Sequence, residues 1–345
     1  MDMNKDHTVL VTEGTGFVGV HCILQLLQKG YKVRTTIRSI NRKNEVIEML
    51  KAGGINTFDN LEFAEADLTA DTNWTNAVKN SDYVLHVAST IGAAVPKDEN
   101  EMIRSAVEAT IRLLKAAENA SVKRVVMTSN FGAVGYSHKD KVRVITEENW
   151  TDFNEKGLSA YNKSKILAER AAWDFIKNDG RNLELSVINP MAIFGPSLGQ
   201  DLPSELDLLK KLLDGSMKAV PNITLGIVDV RDLADLHIQA MTNPAAKGQR
   251  FLALSGKITT LPEIAVLLKK NLGDRANKVS TKQIPDWIVR CASLFSPIAK
   301  NVVPQLSRYR NASNEKAKIL LGWQPRSNEE AILASVESLF RFAVL

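Results

Sequence analysis

The sequence predicts a doubly wound α/β fold, in which helices cover both faces of a parallel sheet, with a smaller and mostly helical carboxy-terminal lobe. Three observations predict this class. Short runs of β-branched and aliphatic residues alternate with helical patterns through the first half of the chain. The runs are apolar almost throughout, which indicates strands that are covered on both faces. Strand, helix and strand at this cadence indicate parallel strands joined by right-handed crossovers.

Six strands and the first helix can be placed from these patterns. The strands are predicted at residues 8–12, 32–38, 61–67, 83–88, 124–128 and 184–189. Between the first two strands, apolar residues recur at the spacing of one helical face from Val20 to Leu27, and Gly30 ends that helix.

The second half of the chain keeps less of this rhythm. An irregular stretch rich in glycine and proline follows Pro190, and then a helix at 232–241 and a strand at 250–254 could rejoin the sheet. No linker is visible, so we expect closely packed units. The predicted division is one domain of residues 1–189 and 226–256, and a second lobe of residues 190–225 and 257–345.

Composition excludes several classes of function. Hydrophobic residues make up 44% and charged residues 24% of the 345, as in a globular protein with a large core. The net charge of +5 comes from interleaved basic and acidic residues, so we expect no nucleic-acid partner. Cys22 and Cys291 form no CxxC pair, and the histidines lack metal-ligand spacing, so we expect neither a disulfide nor a metal site.

The same features favour the cytoplasm. Two isolated cysteines fit a reducing compartment. Residues 1–7 are polar and lack the apolar region of a signal peptide. No window approaches the ~18 uninterrupted apolar residues that a membrane span needs. We therefore expect a soluble, cytoplasmic protein without a membrane partner.

The first informative motif is the turn in TVLVTEGTGFVG, residues 8–19. A strand runs into the tetrapeptide EGTG, and a helix begins at Phe17 with Gly19 in its first turn. Glycines let the backbone approach a pyrophosphate, and the helix N-terminus offers free N–H groups and a positive dipole end. A plain strand-to-helix turn is the alternative, but the position between a first strand and an amphipathic helix favours a dinucleotide site.

The ends of the second and third strands predict which dinucleotide is bound. The second strand ends in Arg38, and Arg42 and Lys43 follow. Arginine at this place suits the 2′-phosphate of NADP, whereas an acidic residue would bind the ribose diol of NAD. A solvated basic surface is the alternative, and we favour NADPH over NADH. Asp67, at the end of the third strand, either accepts a hydrogen bond from the adenine amino group or caps a helix.

A predicted acid–base pair opens a later helix. Tyr161 and Lys165 lie four residues apart, so one helical face carries both. A tyrosine phenol has a reference pKa of about 10, and a nearby ammonium lowers it. In reduction, a hydride passes from nicotinamide to a carbonyl carbon, Tyr161 protonates the developing alkoxide, and Lys165 also binds the nicotinamide ribose. The spacing alone is common on surface helices, but its place after a fifth strand, in a chain with a dinucleotide turn, favours catalysis.

These motifs together resemble the extended short-chain dehydrogenase/reductases. The resemblance also includes NP at 189–190, FGP at 194–196, VDVRDLADLH and SNEKAKILLGWQPR, and covers almost the whole chain. Within the family the chain looks like the branch of dihydroflavonol, cinnamoyl-CoA and yeast-type methylglyoxal or aldehyde reductases. The resemblance implies NADPH, hydride transfer to an aldehyde or ketone, and a substrate cleft beneath the carboxy-terminal lobe.

The turn and the resemblance together define the predicted site, with the first domain binding NADP and the second lobe binding substrate. Contacts to the cofactor are predicted at Thr12, Glu13, Gly14, Thr15, Gly16, Phe17, Val18, Gly19, Arg38, Lys43, Asp67, Leu68, Val87, Ala88, Ser89, Thr128, Tyr161, Lys165, Pro190 and Ile193. The substrate pocket is predicted to include Phe131, Met191 and Leu198.

The phosphate turn departs from the family pattern. The family turn reads TGxxGxxG, and Glu13 stands where the first glycine belongs. A side chain there would crowd the cofactor and place a carboxylate near phosphate charge. It would also occupy a conformation that favours glycine, although Gly14 could absorb part of the strain. We therefore expect Glu13 to weaken or alter cofactor binding.

The fifth strand holds a second departure. The family has Thr-Ser-Ser, with the last serine polarising the carbonyl, and this chain has Thr128, Ser129 and Asn130. The amide of Asn130 can donate a hydrogen bond to an oxyanion as a hydroxyl would. Ser129 is the alternative, if the strand end is shifted by one residue.

Other functions are open on the same scaffold. A nucleotide-sugar epimerase or a hydroxysteroid dehydrogenase is one alternative, and an epimerase would hold its nicotinamide tightly and consume none. Glu13 and Asn130 suggest a regulator that senses NADP without turnover, whereas Tyr161 and Lys165 argue against it. We favour a carbonyl reductase, reversible as an alcohol dehydrogenase. It would act as a monomer or homodimer on a small carbonyl compound that the sequence does not identify.

Overall fold

A seven-stranded parallel sheet forms the centre of the computed structural model, which describes residues 6–89, 98–138, 140, 142–200, 202–306, 308 and 310–342. Residues 1–5 of the polar amino-terminal segment lie outside the described residues. The strands, numbered in chain order over the whole molecule, are β1 (Thr8–Val11), β2 (Lys32–Ile37), β3 (Leu61–Glu65), β4 (Tyr83–His86), β5 (Arg124–Thr128), β6 (Glu184–Pro190) and β10 (Arg250–Ala253).

The order across the sheet is β3-β2-β1-β4-β5-β6-β10, and each neighbouring pair is parallel. The predicted doubly wound fold is thereby confirmed. The strand expected near residue 250 does rejoin the sheet, where β10 pairs with β6. The chain reverses its winding between β1 and β4, and ligands of open α/β sheets bind in the crevice at such a reversal.

Helices cover both faces because the strands bury side chains on both. Val9 and Val11 of β1 belong to one core, and Leu10 between them belongs to the other. The first face carries α1 (Phe17–Gln28), α2 (Lys43–Ala52) and α8 (Val230–Thr242). The second face carries α3 (Trp74–Val78), α4 (Glu99–Asn119) and α6 (Ala160–Asn178). Gly30 follows α1 with φ +83°, the left-handed conformation expected of a glycine that ends a helix.

The remaining elements lie outside the central sheet, and most of them form the smaller lobe. Two small sheets contain β7 (Ala192–Phe194), β9 (Thr224–Asp229) and β11 (Ile258–Thr260), and β8 (Val220–Pro221) with β12 (Gln283–Ile284). The helices are α5 (Gly132–Gly135), α7 (Ser204–Leu213), α9 (Leu261–Leu272), α10 (Asp286–Ala292), α11 (Pro297–Val302), α12 (Glu315–Leu321) and α13 (Asn328–Arg341). Side chains of α7, α9 and α13 form a core separate from those of the central sheet. The exact boundaries between domain and lobe stay a prediction.

Candidate active site

The turn after β1 is shaped by glycines. A Cβ on Gly19 would lie 2.2 Å from the carbonyl oxygen of Glu13, and one on Gly14 would lie 2.4 Å from Thr35 Oγ1. Both positions therefore exclude a side chain unless a neighbour moves. Gly16 is the N-cap of α1, whose first backbone N–H groups have no partner within the helix.

Thr12 ties this turn to the segment that follows β4. Its buried hydroxyl accepts the backbone N–H of Val87 at 3.1 Å and that of Ala88 at 2.9 Å. The same hydroxyl lies 3.2 Å from Nδ1 of His86. Burial lowers the pKa of His86 to about 3, so this histidine is neutral, as befits a packed strand residue. Thr12 thus fixes the backbone at the point where the sheet reverses its winding.

A cleft of about 480 Å³ opens along the carboxyl ends of the central strands. Its lining includes eight predicted cofactor residues, namely Glu13, Thr15, Gly16, Arg38, Asp67, Leu68, Ala88 and Ser89. Six other lining residues are absent from the predicted contacts, namely Thr36, Ile37, Arg42, Ala66, Thr69 and Trp74. Most of these residues are at or next to predicted strand ends, and that position could have identified them as part of the cleft. Trp74 comes from α3 and had no such signal; its indole N–H donates to the carbonyl of Asp67 at 2.9 Å.

The basic residues after β2 divide between two environments. Arg38 and Arg42 line the cleft. Lys43 instead places its ammonium 5.3 Å from the ring centroid of Phe63. Arg42 also pairs with Glu45 at 2.8 Å, which orients its guanidinium. Arg42, rather than the predicted Lys43, therefore shares the cleft with Arg38.

Asp67 caps a turn and not a helix. Its Oδ1 accepts the backbone N–H and the hydroxyl of Thr69, both at 2.7 Å, and these hydrogen bonds lower the pKa of Asp67. Helix α3 begins only at Trp74 and has Asn73 as its N-cap, so the helix-cap interpretation is wrong. The carboxylate stays ionised at neutral pH beside the cleft.

Glu13 holds a backbone conformation that favours glycine, with φ +62°. Its Cγ and Cδ lie 3.1 and 3.2 Å from the place that a Cβ on Gly16 would take, so the side chain lies over the N-cap of α1. Its carboxylate accepts the backbone N–H of Ser89 at 3.3 Å. Burial raises the pKa of Glu13, while this hydrogen bond and the nearby positive charges, Arg38 foremost, oppose the rise.

The cleft fits a dinucleotide apart from this carboxylate. Gly14 and Gly19 keep the turn tight, and Gly16 leaves the end of α1 free of a side chain of its own. Arg38 and Arg42 supply positive charge for a phosphate at the far end. The side chain of Glu13 competes for the space at the helix terminus, where its Cγ and Cδ are among the atoms nearest to Gly16.

Helix α6 carries the predicted acid–base pair. The hydroxyl of Ser159 accepts the N–H of Asn162 at 3.2 Å and fixes where the helix begins. Tyr161 follows in the first turn and is 40% exposed, which leaves its ring accessible to a ligand. Lys165 lies one turn further along the same face and is buried.

Lys165 reaches the end of β5. Its Nζ donates to the carbonyl of Thr128 at 3.5 Å, and the hydroxyl of Thr128 lies 2.7 Å from Nε2 of His237. Burial lowers the pKa of Lys165 to about 8, and the charges of Glu13 and Glu169 oppose this change. Lys165 is therefore a cation whose charge is sensitive to its neighbours close to neutral pH.

Ser129 and Asn130 leave β5 in different environments. The hydroxyl of Ser129 is buried and has no hydrogen-bond partner among the described residues. Asn130 is half-buried; its Oδ1 accepts the N–H of Ala133 at 3.2 Å, and its Nδ2 makes a long contact of 3.4 Å with Oδ1 of Asn162. With Oδ1 engaged in this way and one N–H directed at Asn162, the amide of Asn130 has a second N–H for another acceptor. The choice between the two residues stays a prediction.

A buried ion pair beneath this site was missed by sequence reasoning. Glu169, one turn after Lys165, accepts from Nε of Arg250 at 2.6 Å and from Nδ2 of Asn189 at 2.8 Å. Asn189 Nδ2 also donates to the carbonyl of Asn130 at 3.2 Å, so the pair supports the end of β5. The i,i+4 spacing from Lys165 was the available signal, but Arg250 lies 81 residues from Glu169 in the chain.

The predicted pocket residues are only partly brought together. Phe131 and Met191 share one buried cluster, and the carbonyl of Pro190 accepts the N–H of Phe131 at 2.9 Å. Leu198 packs instead with the core of α1 and α2. His21 holds this stretch there through a 2.8 Å contact of Nε2 with the carbonyl of Pro196. The structure thus separates Leu198 from the other two.

Other predicted contacts lie on the face of the sheet that α1 covers. Val18, Val87 and Ile193 pack against the core on the α1 face, and the ring of Phe17 meets that of His21 edge-on at 5.7 Å.

Within the described residues no group of three His, Cys, Asp or Glu side chains is arranged to hold a metal. None of the helices described there is long and apolar enough to cross a membrane.

This fold, with a glycine-shaped turn at the reversal of the sheet and a tyrosine–lysine pair beside it, defines a dinucleotide-binding protein of the short-chain dehydrogenase/reductase class. The family profile described as 3-beta hydroxysteroid dehydrogenase/isomerase matches residues 10–281. The chain belongs to this family of extended short-chain dehydrogenase/reductases, and the predicted resemblance is confirmed.

Named relatives and a solved structure agree with this assignment. The chain is 31% identical to a cinnamoyl-CoA reductase of Medicago truncatula over 97% of this chain and 96% of that one. It is 33% identical to the (2S)-flavan-3-ol-forming anthocyanidin reductase of Vitis vinifera over 76% and 80%. The structure of Gre2 from Candida albicans in complex with NADPH superposes with a TM-score of 0.78 at 29% identity, covering 97% of this chain and 99% of that one.

Proposed function

We propose that this protein is an NADPH-dependent reductase of aldehydes or ketones, reversible as an alcohol dehydrogenase, with Tyr161 as the proton donor. The observation that carries the proposal is that Tyr161 and Lys165 share one face of α6, and that Lys165 lines a small pocket together with Leu68, Ala88 and Ser89, which also line the cleft. The reductases among its relatives, and the bound NADPH in the Gre2 structure, support the same chemistry.

The roles of the residues follow from their chemistry. NADPH, when bound, supplies the hydride that reduces the carbonyl carbon. The phenol of Tyr161 donates its proton to the carbonyl oxygen as negative charge develops there, and Asn130, or Ser129 in its place, donates a hydrogen bond to that oxygen. The ammonium of Lys165 stabilises the phenolate that Tyr161 leaves behind and binds the nicotinamide ribose. Arg38 and Arg42 bind the 2′-phosphate, so NADPH is preferred to NADH.

The accompanying proposals concern setting and assembly. A small carbonyl compound binds beneath the carboxy-terminal lobe, next to Phe131 and Met191. The chain acts in the cytoplasm, where the free thiols of Cys22 and Cys291 stay reduced. It acts as a monomer or a homodimer, which analytical ultracentrifugation distinguishes.

The test follows consumption of NADPH and NADH with a panel of aldehydes, 2-keto esters and aryl ketones. We expect Tyr161→Phe to lower kcat/KM for the best substrate about 100- to 10,000-fold, because a general acid contributes a factor of that size. Binding of NADPH, followed by quenching of protein fluorescence, should persist in this variant.

Tyr31→Phe is the matched control, since it removes a hydroxyl from a buried tyrosine before β2, away from the cleft. This variant should keep full turnover. Turnover in Tyr161→Phe equal to the wild type would refute the assigned proton donor. Lack of NADPH binding in every variant, those of Glu13 included, would refute the proposed function itself.

A further inference from the structure

We propose that the carboxylate of Glu13 occupies the place of the cofactor's pyrophosphate at the start of α1, so that cofactor binding displaces it and takes up a proton. This inference rests on the proposed function, because it requires that the cleft binds NADPH. It concerns a residue of the phosphate turn that sets the affinity for the cofactor and makes that affinity depend on pH.

The first support is the position of the side chain. Cγ and Cδ of Glu13 lie against Gly16, the residue whose missing side chain leaves the end of α1 open. The first turn of α1 contains no acidic residue, and no side chain caps its N-terminus. A helix N-terminus favours an anion through its free N–H groups and its dipole. The carboxylate of Glu13 is the acidic group next to this terminus, and its hydrogen bond goes to the backbone N–H of Ser89 and not to α1.

The second support is that the backbone cannot easily carry this side chain away. The carbonyl of Glu13 packs against α1, only 2.2 Å from the place of a Cβ on Gly19. The backbone N–H of Glu13 donates to Thr36 Oγ1 at 3.1 Å, and that of Gly14 donates to the carbonyl of Thr36 at 2.9 Å. The left-handed φ of +62° is therefore fixed by the turn. Displacement of the carboxylate must occur by rotation of the side chain alone.

The third support is the set of charges that face Glu13. Arg38 directly follows β2, Arg42 directly precedes α2, and Lys165 comes from α6. Asp67, after β3, is the acidic residue across the same cleft. The cations attract the carboxylate of Glu13 in the free protein and the phosphates in the complex, so the two anions compete for one positive field. Anions brought this close do not both stay charged, and the weaker acid takes the proton.

Glu13 is that weaker acid. Burial already raises the pKa of its carboxyl group in the free protein. Because the backbone of Glu13 is fixed, its displaced carboxyl group stays close to the pyrophosphate. The negative charge of the pyrophosphate, which stays ionised at neutral pH, would raise this pKa further. The proton comes from the solvent and is bound by a carboxylate oxygen of Glu13. Affinity for the cofactor should accordingly fall as the pH rises from the pKa of the free protein to that of the complex.

The test is isothermal titration calorimetry of the full chain with NADPH, between pH 5.0 and 7.0. Titrations in buffers with different ionisation enthalpies give the number of protons taken up. Glu13→Gln keeps the shape of the side chain and removes its charge. At pH 7.0 we expect this variant to bind NADPH about 10-fold more tightly than the wild type, which corresponds to a coupling of about one pKa unit. The difference should shrink towards pH 5.0.

Two controls isolate the proton of Glu13. The 2′-phosphate of NADPH itself titrates near pH 6, so proton uptake is compared between wild type and variant, and repeated with NADH, which lacks that group. The wild type should take up a larger fraction of a proton than Glu13→Gln with both cofactors. Glu13→Gly, which also relieves the backbone, provides the same comparison if the glutamine variant fails to fold.

The outcomes separate this inference from the proposed function. Tight NADPH binding in all three proteins, with equal proton uptake and a ratio of affinities that does not change with pH, would overturn the role of Glu13 while the reductase proposal stands. Failure of NADPH to bind even to Glu13→Gly would overturn both.

Discussion

Two carboxylates flank Lys165, and the protein holds them in opposite ways. Glu169 is fully buried on α6, and its partner is the guanidinium of Arg250 at 2.6 Å. Glu13 lies in the turn after β1, in a left-handed backbone conformation, with the N–H of Ser89 at 3.3 Å from its carboxylate. The first carboxylate is matched by a buried cation in direct contact. The second has a long hydrogen bond and positive charges at a greater distance.

The surroundings of Arg250 extend the contrast. Its Nη1 donates to the carbonyls of Glu147 at 2.7 Å and Asn149 at 3.0 Å, and its guanidinium lies 3.8 Å from the ring centroid of Trp150. A buried pair held by this many groups fixes the structure around it. The paired carboxylate beneath the site therefore serves positioning, whereas the strained and weakly paired one within the site marks where a ligand acts.

The strongest change in stability is expected when the paired carboxylate, Glu169, loses its partner. Arg250→Met should lower the free energy of unfolding by about 3–5 kcal/mol, because it leaves the charge of Glu169 buried without its partner. Urea unfolding followed by circular dichroism measures this difference. Arg104→Met, on the exposed face of α4, is the matched control; its pair with Glu108 at 4.0 Å should contribute about 0–1 kcal/mol. Equal stability of the two variants would show that the buried pair does not hold the fold.

A smaller effect of opposite sign is expected at the strained carboxylate. Glu13→Gly should raise the free energy of unfolding by about 1 kcal/mol, because glycine adopts φ +62° without the steric cost that a side chain brings. The same urea experiment measures it. Asn80→Gly is the control, since Asn80 has φ +58° on the surface and asparagine tolerates that region better. A destabilised Glu13→Gly would mean that the carboxylate contributes more to the fold than its strain costs.

The fold and much of the cleft could be predicted because their signals are local. The cadence of apolar runs placed all seven strands of the central sheet within a few residues, since a strand buried on both faces must be apolar along its length. The turn after β1 could be recognised from its glycines. Glycine is needed there because a Cβ atom would strike the backbone at Gly19 and a side chain of the neighbouring strand at Gly14. Position at the end of a parallel strand then predicted Arg38 and Asp67.

The other features of the site depend on contacts between residues that are far apart in the chain, and no local sequence pattern reports such contacts. The pairing of Glu169 with Arg250 joins a helix to a strand at the far edge of the sheet. Whether Arg42 or Lys43 enters the cleft is decided by the start of α2, which turns Lys43 towards Phe63. Leu198 lies in an irregular loop, and the direction of its side chain depends on how that loop is held. The contact of His21 Nε2 with the carbonyl of Pro196 holds it. Such choices are set by tertiary packing and not by periodicity.

The weakest effect is a change in the pKa of Lys165, on which both carboxylates act. Burial lowers the pKa of Lys165 to about 8, and both carboxylates hold it from falling further, Glu13 more than Glu169. Neutralising either should therefore lower this pKa, by less than about one unit at the effective dielectric of a protein site. We expect a larger fall in Glu13→Gln than in Glu169→Gln.

An NMR titration with ¹³C-labelled lysine, assigned with Lys165→Arg, measures the change. Because the folded protein binds this proton more weakly than the unfolded chain, stability should rise with pH from about 8 towards the ordinary lysine value of 10.5. In Glu13→Gln that rise should begin at a lower pH. An unchanged or higher pKa of Lys165 in this variant would mean that the carboxylate of Glu13 does not stabilise the charge of Lys165. The two carboxylates would then differ in their effect on Lys165 as well as in their pairing.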